Sequence, residues 1–193
     1  MHSVAVITSD LQSGIINHKK ERIEATDEVR EKLSNFYSKM RSFNVPIIHL
    51  QHVIDPENKK GLELVGDVCE GSKGFKIIDE FYHKTDILVQ KRKFSGFFQT
   101  TLDDTLKGLG TKSIVLTGHQ AQVCIQTTAS DAFYRGFNVI VPKDGVISVY
   151  EEDKIRALDW IQDYVGQVLS LEKIINHLQT HDNFDQKTDY KEI

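Results

Sequence analysis

The sequence of 193 residues predicts an α/β fold in which a six-stranded, mostly parallel sheet is covered by helices on both faces, giving three α/β/α layers. Two observations carry this prediction. Short apolar runs rich in β-branched residues recur along the chain, and between them lie stretches whose apolar residues repeat at three- and four-residue steps. Strands separated by helices pair in parallel through right-handed crossovers, which places helices on both faces of one sheet.

The apolar runs fall at residues 4–8, 45–50, 87–89, 113–117 and 139–141, with a weaker sixth at 165–169. The first helix is predicted over residues 26–43, where Val29, Leu33, Phe36, Met40 and Phe43 keep the helical period and Thr26 or Asp27 stands as its cap. Further helices are predicted over 100–109, 123–134 and 151–164, with Gly108, Gly136 and Gly166 at their ends. Residues 54–82 keep no sustained period and predict a long surface loop that shapes a pocket. One domain is expected over residues 1–178, followed by a polar tail at 179–193 that frays or docks on a neighbouring subunit, with Phe184 and Tyr190 as its only anchors.

Composition narrows the function. Hydrophobic residues make up 39% and charged residues 27%, the balance of an ordinary globular chain. The net charge of -4 is mild and the basic residues are scattered, which disfavours nucleic acid as a partner. No apolar run has the length of a membrane span, and the amino terminus carries no leader pattern, so a cytoplasmic protein with reduced thiols is expected.

In an open parallel sheet, ligands bind beyond the carboxyl ends of the strands, so polar residues directly after a strand are informative. Three such places hold reactive groups. The first strand runs into Asp10, the third into Lys91, and the fourth into Gly118 and then Cys124. A carboxylate, an ammonium and a thiol are expected to meet there. At the start of a helix and beside a lysine, the Cys124 thiol is expected to ionise more readily than an ordinary cysteine. Each of the three has an unremarkable reading when taken singly: Asp10 as a helix cap, Lys91 as a solvated strand end, Cys124 as a small buried hydrophobe. Their convergence is what points to catalysis.

The ordered set of motifs resembles the isochorismatase-like cysteine hydrolases, a superfamily that includes nicotinamidases, N-carbamoylsarcosine amidohydrolases, ureidoacrylate hydrolases and isochorismatases. The resemblance covers residues 4–171. It rests on Asp10-Leu11-Gln12, on the run from Lys91 through Ser95-Gly96-Phe97 to Thr100 and Leu102, and on Thr117-Gly118 leading to Cys124 and Thr127-Thr128-Ala129-Ser130-Asp131-Ala132. Arg135-Gly136-Phe137 and Asp144-Gly145-Val146-Ile147-Ser148 extend it. It implies the isochorismatase-like, Rossmann-like fold, with Cys124 as nucleophile, Asp10 as general acid/base and Lys91 as electrostatic partner. It also implies a cis peptide at His119–Gln120, an oxyanion hole made by the backbone N–H groups of Gln120 and Cys124, and assembly as a homodimer or homotetramer, with Phe133, Trp160 and the tail as contact candidates.

No metal and no organic cofactor are expected. The metal pattern of the nicotinamidases, Asp-x-His with a further histidine, does not match His49-Leu50-Gln51-His52 and Asp55. On a strand, His49 and His52 point to opposite faces, so they are expected as satisfied histidines or as pocket lining. The predicted function is hydrolysis of a C–N bond in a small amide or ureide through a Cys124 thioester. The alternatives are enol-ether hydrolysis of the isochorismatase type, which uses Asp10, and a non-catalytic binding or scaffold protein, suggested by the Gln120-Ala121-Gln122 approach to the cysteine.

Overall fold

The computed structural model describes residues 2–185. Its sheet has seven strands where six are expected: β1 (Val4–Ser9), β2 (Ile47–His52), β3 (Ile87–Lys91), β4 (Ser113–His119), β5 (Asn138–Pro142), β6 (Val146–Ile147) and β7 (Gln167–Leu169). The order is β3-β2-β1-β4-β5-β7, with β6 joined to β4, and all these pairings are parallel. The additional strand, β6, is two residues long, too short for alternation to mark it.

The helices are α1 (Ser13–Ile16), α2 (Lys20–Ser42), α3 (Lys59–Val65), α4 (Leu102–Gly108), α5 (Gln126–Tyr134), α6 (Glu151–Tyr164) and α7 (Leu171–Leu178), with a π-helical turn at Ala121–Ile125 leading into α5. Side chains alternate along β1. Ala5 and Ile7 pack with Leu102 and Leu106 of α4, Ala129 of α5 and Ile161 of α6. Val4 and Val6 pack with Leu33, Phe36 and Met40 of α2 and Ile174 of α7. Burial on both faces explains why the central strands read as unbroken apolar runs.

Several sequence expectations are corrected. Helix α2 begins six residues before Thr26, so neither Thr26 nor Asp27 caps it; Thr26 is fully buried and its hydroxyl donates to the Arg22 carbonyl at 2.6 Å. Helix α4 is followed by Gly110, not Gly108, in the left-handed conformation at φ +66°. The segment expected as a loop over 54–82 contains α3, buries Val68, Ile77 and Phe81, and bonds to the chain just after β1 through Ile78 N–H to the Leu11 carbonyl at 3.0 Å. Phe133 and Trp160 are partly buried against the core of their own chain, which does not bear on the expectation that they meet a second subunit. The start of the tail docks on its own chain as well: Phe184 is buried, and its carbonyl accepts from Asn138 Nδ2 at 2.8 Å. Residues 186–193, including Tyr190, lie outside the described residues.

One glycine brings the two central strands close enough to build the site. Gly118 pairs with Ser9, its φ is +100°, and a Cβ there would stand 2.3 Å from the Ser9 carbonyl oxygen. Only glycine takes this conformation at this spacing.

Candidate active site

Three strand ends deliver the reactive groups. Asp10 follows β1 directly in the left-handed conformation, φ 60°, which Asp tolerates better than most residues. Its N–H donates to the Leu50 carbonyl at 3.2 Å, and the Ser9 hydroxyl donates to Oδ2 at 3.0 Å. Lys91 ends β3 and is buried; its Nζ donates to Asp10 Oδ2 at 3.2 Å and lies 3.1 Å from Oδ1. Cys124 sits in the π-helical turn after β4, its Sγ 3.4 Å from Lys91 Nζ. The structure therefore brings Asp10, Lys91 and Cys124 together.

Lys91 has further partners, the Lys93 carbonyl at 3.2 Å and His52 Nδ1 at 3.1 Å. His52 ends β2 in register with Lys91, and its Nδ1 is 3.7 Å from Asp10 Oδ1. His49 turns the other way, between the Thr8 hydroxyl at 2.6 Å and Asp86 at 3.0 Å. Gln12 fixes the end of β2: its Oε1 accepts from the His52 N–H at 2.6 Å, and its Nε2 donates to the carbonyls of His52 and Phe75 at 3.0 and 2.8 Å. The motif residues after Lys91 meet those after Cys124, because the Ser95 hydroxyl bonds Asp131 and the Gly96 N–H donates to the Thr128 hydroxyl at 3.0 Å. Two blocks far apart in sequence are one contact that aligns Lys91 with Cys124.

The charge states follow from burial and neighbours. Burial opposes ionisation of Asp10, but the Lys91 ammonium and His52 outweigh it and hold the carboxyl well below the usual range. Burial likewise works against the Lys91 charge, and the negative groups beside it restore it and raise its pKa. Burial and the Asp10 carboxylate push the Cys124 thiol up to about 12, against the pull of Lys91. This corrects the expectation of an easily ionised thiol. Cys124 lies in the turn ahead of α5, enclosed and next to an existing anion that already holds the ammonium. At rest the site is carboxylate, ammonium and neutral thiol.

The peptide bond between His119 and Gln120 is cis. His119 is fully buried, and burial pushes it down to about 4, so its ring is neutral. Its Nε2 lies 2.8 Å from the Thr26 hydroxyl, whose single proton goes to the Arg22 carbonyl. The hydroxyl must therefore accept from Nε2–H, which leaves Nδ1 as a bare acceptor without a partner.

These groups line a cavity of about 120 Å³. Asp10, His52, His119, Gln120, Cys124 and Arg22 form its polar wall. Ile15, Val65, Val123, Leu64 and Phe94 form the apolar side, and the last two are exposed at the mouth. His52 was expected as a satisfied histidine or as pocket lining, and Gln12 only as part of the Asp10-Leu11-Gln12 motif, whereas Arg22 was not predicted as a site residue. Arg22 had a signal: it falls on the buried stripe of α2 with Thr26, Val29 and Leu33, and a charged residue on such a stripe needs a reason.

The chain matches the Isochorismatase domain over residues 4–173. It belongs to the isochorismatase family. It is 35% identical over 128 residues to the secreted isochorismatase effector Isc1 of Verticillium dahliae, covering 66% of this chain and 64% of that protein. It is 28% identical over 148 residues to the ureidoacrylate amidohydrolase RutB of Acinetobacter baylyi, covering 75% of this chain and 60% of that one. The aligned stretches thus span less than two thirds of either relative. Its fold is similar to that of a cysteine hydrolase from Pseudomonas syringae pv. phaseolicola, with a TM-score of 0.81 at 20% identity over 92% of this chain and 93% of the other. Among the described residues no helix is long and apolar enough to cross a membrane.

Proposed function

We propose that this family member is a hydrolase that cleaves the C–N bond of a small amide or ureide through a thioester on Cys124. The observation that carries the reading is the convergence of Cys124 Sγ and the Asp10 carboxylate on one ammonium, Lys91 Nζ, at 3.4 Å and 3.1 Å beside the cavity.

Asp10 Oδ1 has no hydrogen-bond donor directed at it, so it retains the capacity to take the thiol proton. As that proton moves, the negative charge passes from carboxylate to thiolate, and the same ammonium pairs with either, so the net charge of the buried site does not change. The thiolate then attacks the carbonyl carbon, and the carbonyl π pair moves to oxygen, where the oxyanion accepts hydrogen bonds donated by the N–H groups of Gln120 and Cys124. Collapse expels the nitrogen, which takes the proton from Asp10 and leaves as ammonia. Water attacks the thioester with Asp10 again as base, releasing an acid or, from a ureide, a carbamate, and restoring the thiol.

The curated relative named as an isochorismatase motivates the enol-ether reading. That reaction needs Asp10 as a proton donor, whereas Lys91 holds it ionised, so the thioester route fits the resting charges better. Ammonia release from a panel of small amides and ureides, compared between the wild-type chain and Cys124→Ala, tests the choice. Release that vanishes in the variant supports the thiol route; release that persists, or none from either with an enol ether still consumed, overturns it.

A further inference from the structure

Arg22 is a buried cation on the wall of the catalytic cavity, 8% exposed, and among the described residues no carboxylate forms an ion pair with it. Nη1 donates to the carbonyls of Ile15 and Val65 at 3.3 and 2.7 Å, and Nη2 to that of Leu64 at 2.8 Å. Three of the five guanidinium N–H groups are thus used on the neighbouring backbone. Nε is buried with no acceptor. The free donors are Nε–H and the second hydrogen of Nη2, which lie on one edge of the planar group and form the fork that takes a carboxylate with two parallel bonds.

The charge around the cavity asks for the same partner. Asp10 and Lys91 cancel each other, the Cys124 thiol is neutral, and His119 is neutral with Nδ1 bare, so the Arg22 charge is left over. A buried cation hydrogen-bonded only to carbonyls is costly unless an anion joins it. The bare His119 Nδ1 on the same wall accepts an N–H, the donor that an amide or ureide supplies.

Resting on the thioester reading above, we infer that Arg22 is a specificity residue that binds the carboxylate of the substrate, so that the substrate class is small amides or ureides bearing a carboxylate. Because Arg22 also ties α3 to α1 through the carbonyls it bonds, the anion and the apolar wall at Leu64 and Val65 are held by one side chain.

The test is calorimetric titration of the Cys124→Ala chain, in which no turnover obscures binding, with N-carbamoylglycine and with propylurea, an uncharged ureide of similar length. The expected result is that the carboxylated ureide binds about 10- to 150-fold more tightly, the range of a hydrogen-bonded charge. With Arg22→Met added, that preference should fall to about threefold or less, the carboxylated ureide losing far more affinity than propylurea even though the lost carbonyl bonds lower the melting temperature. Equal affinity for the two ureides, no binding of either, or a preference that survives Arg22→Met overturns the inference. So does an equal loss of both ligands with a fallen melting temperature, which marks Arg22 as a backbone clip alone. The thioester reading fails separately, if the wild-type chain binds N-carbamoylglycine and releases no ammonia from any ureide or amide.

Discussion

Lys91 Nζ lies 3.4 Å from Cys124 Sγ, yet the thiol beside it is pushed up to about 12, because burial and the Asp10 carboxylate at 3.1 Å from the same ammonium outweigh it. In the proposed mechanism the nucleophile is made only when Asp10 takes its proton, so the reactivity of the free thiol and the turnover should respond to Asp10 in opposite ways.

Asp10→Asn removes the anion that opposes the thiolate. Alkylation of Cys124 by iodoacetamide near neutral pH should be slow in the wild type and faster in Asp10→Asn, while ammonia release falls by about 10²–10⁴-fold, the usual contribution of a general base. Parallel loss of both reactivities would show that Asp10 serves only to hold the fold.

The same shift has a signature in stability. Below the ordinary thiol value of 9.0, Cys124 is protonated in both folded and unfolded chains and makes no pH-dependent difference. Between that value and about 12 the unfolded chain releases a proton that the folded chain keeps, so stability falls as pH rises. Urea unfolding over this range should show a shallower decline in Cys124→Ala than in the wild type.

Lys91→Met leaves the Asp10 carboxylate buried and unpaired. Breaking one side of such a pair costs about 3–5 kcal/mol, which urea unfolding at neutral pH would register. The double variant Asp10→Asn, Lys91→Met should recover part of that loss, although neither variant should turn over substrate.

Gly118→Ala places a methyl group 2.3 Å from the Ser9 carbonyl in a left-handed backbone. Strain of this kind costs about 1–3 kcal/mol before the clash is counted. Thermal unfolding should show a clear drop, and activity should fall with it because Asp10 directly follows one, and His119 ends the other, of the two strands forced apart.

The strands that carry the candidate site were legible because each reads as an apolar run, buried on both faces in β1 and β4 and half-exposed at the sheet edge in β3, so the polar residues beyond the runs stood out. Asp10 and Lys91 stood out in this way, and Cys124 as a thiol in the turn that follows the fourth run. Helix α3 was hidden for the opposite reason, since none of its residues is buried and no periodic stripe can form. The amino-terminal turns of α2 were missed because Lys20, Glu21 and Glu24 are polar, and the stripe is carried there by Arg22 and Thr26, residues that do not count as apolar. His52 and Gln12 act through hydrogen bonds across strands whose register no local pattern encodes. The raised thiol pKa depends on enclosure, which one residue's position relative to a helix does not reveal.

The measurement that bears most directly on the account is intact-protein mass spectrometry of the wild-type chain, acid-quenched during turnover of a ureide or amide from which it releases ammonia. The account predicts an adduct equal to the substrate minus ammonia, mapped by peptide digestion to Cys124 and discharged by hydroxylamine. Turnover with no adduct on Cys124, undiminished in Cys124→Ala, would contradict it.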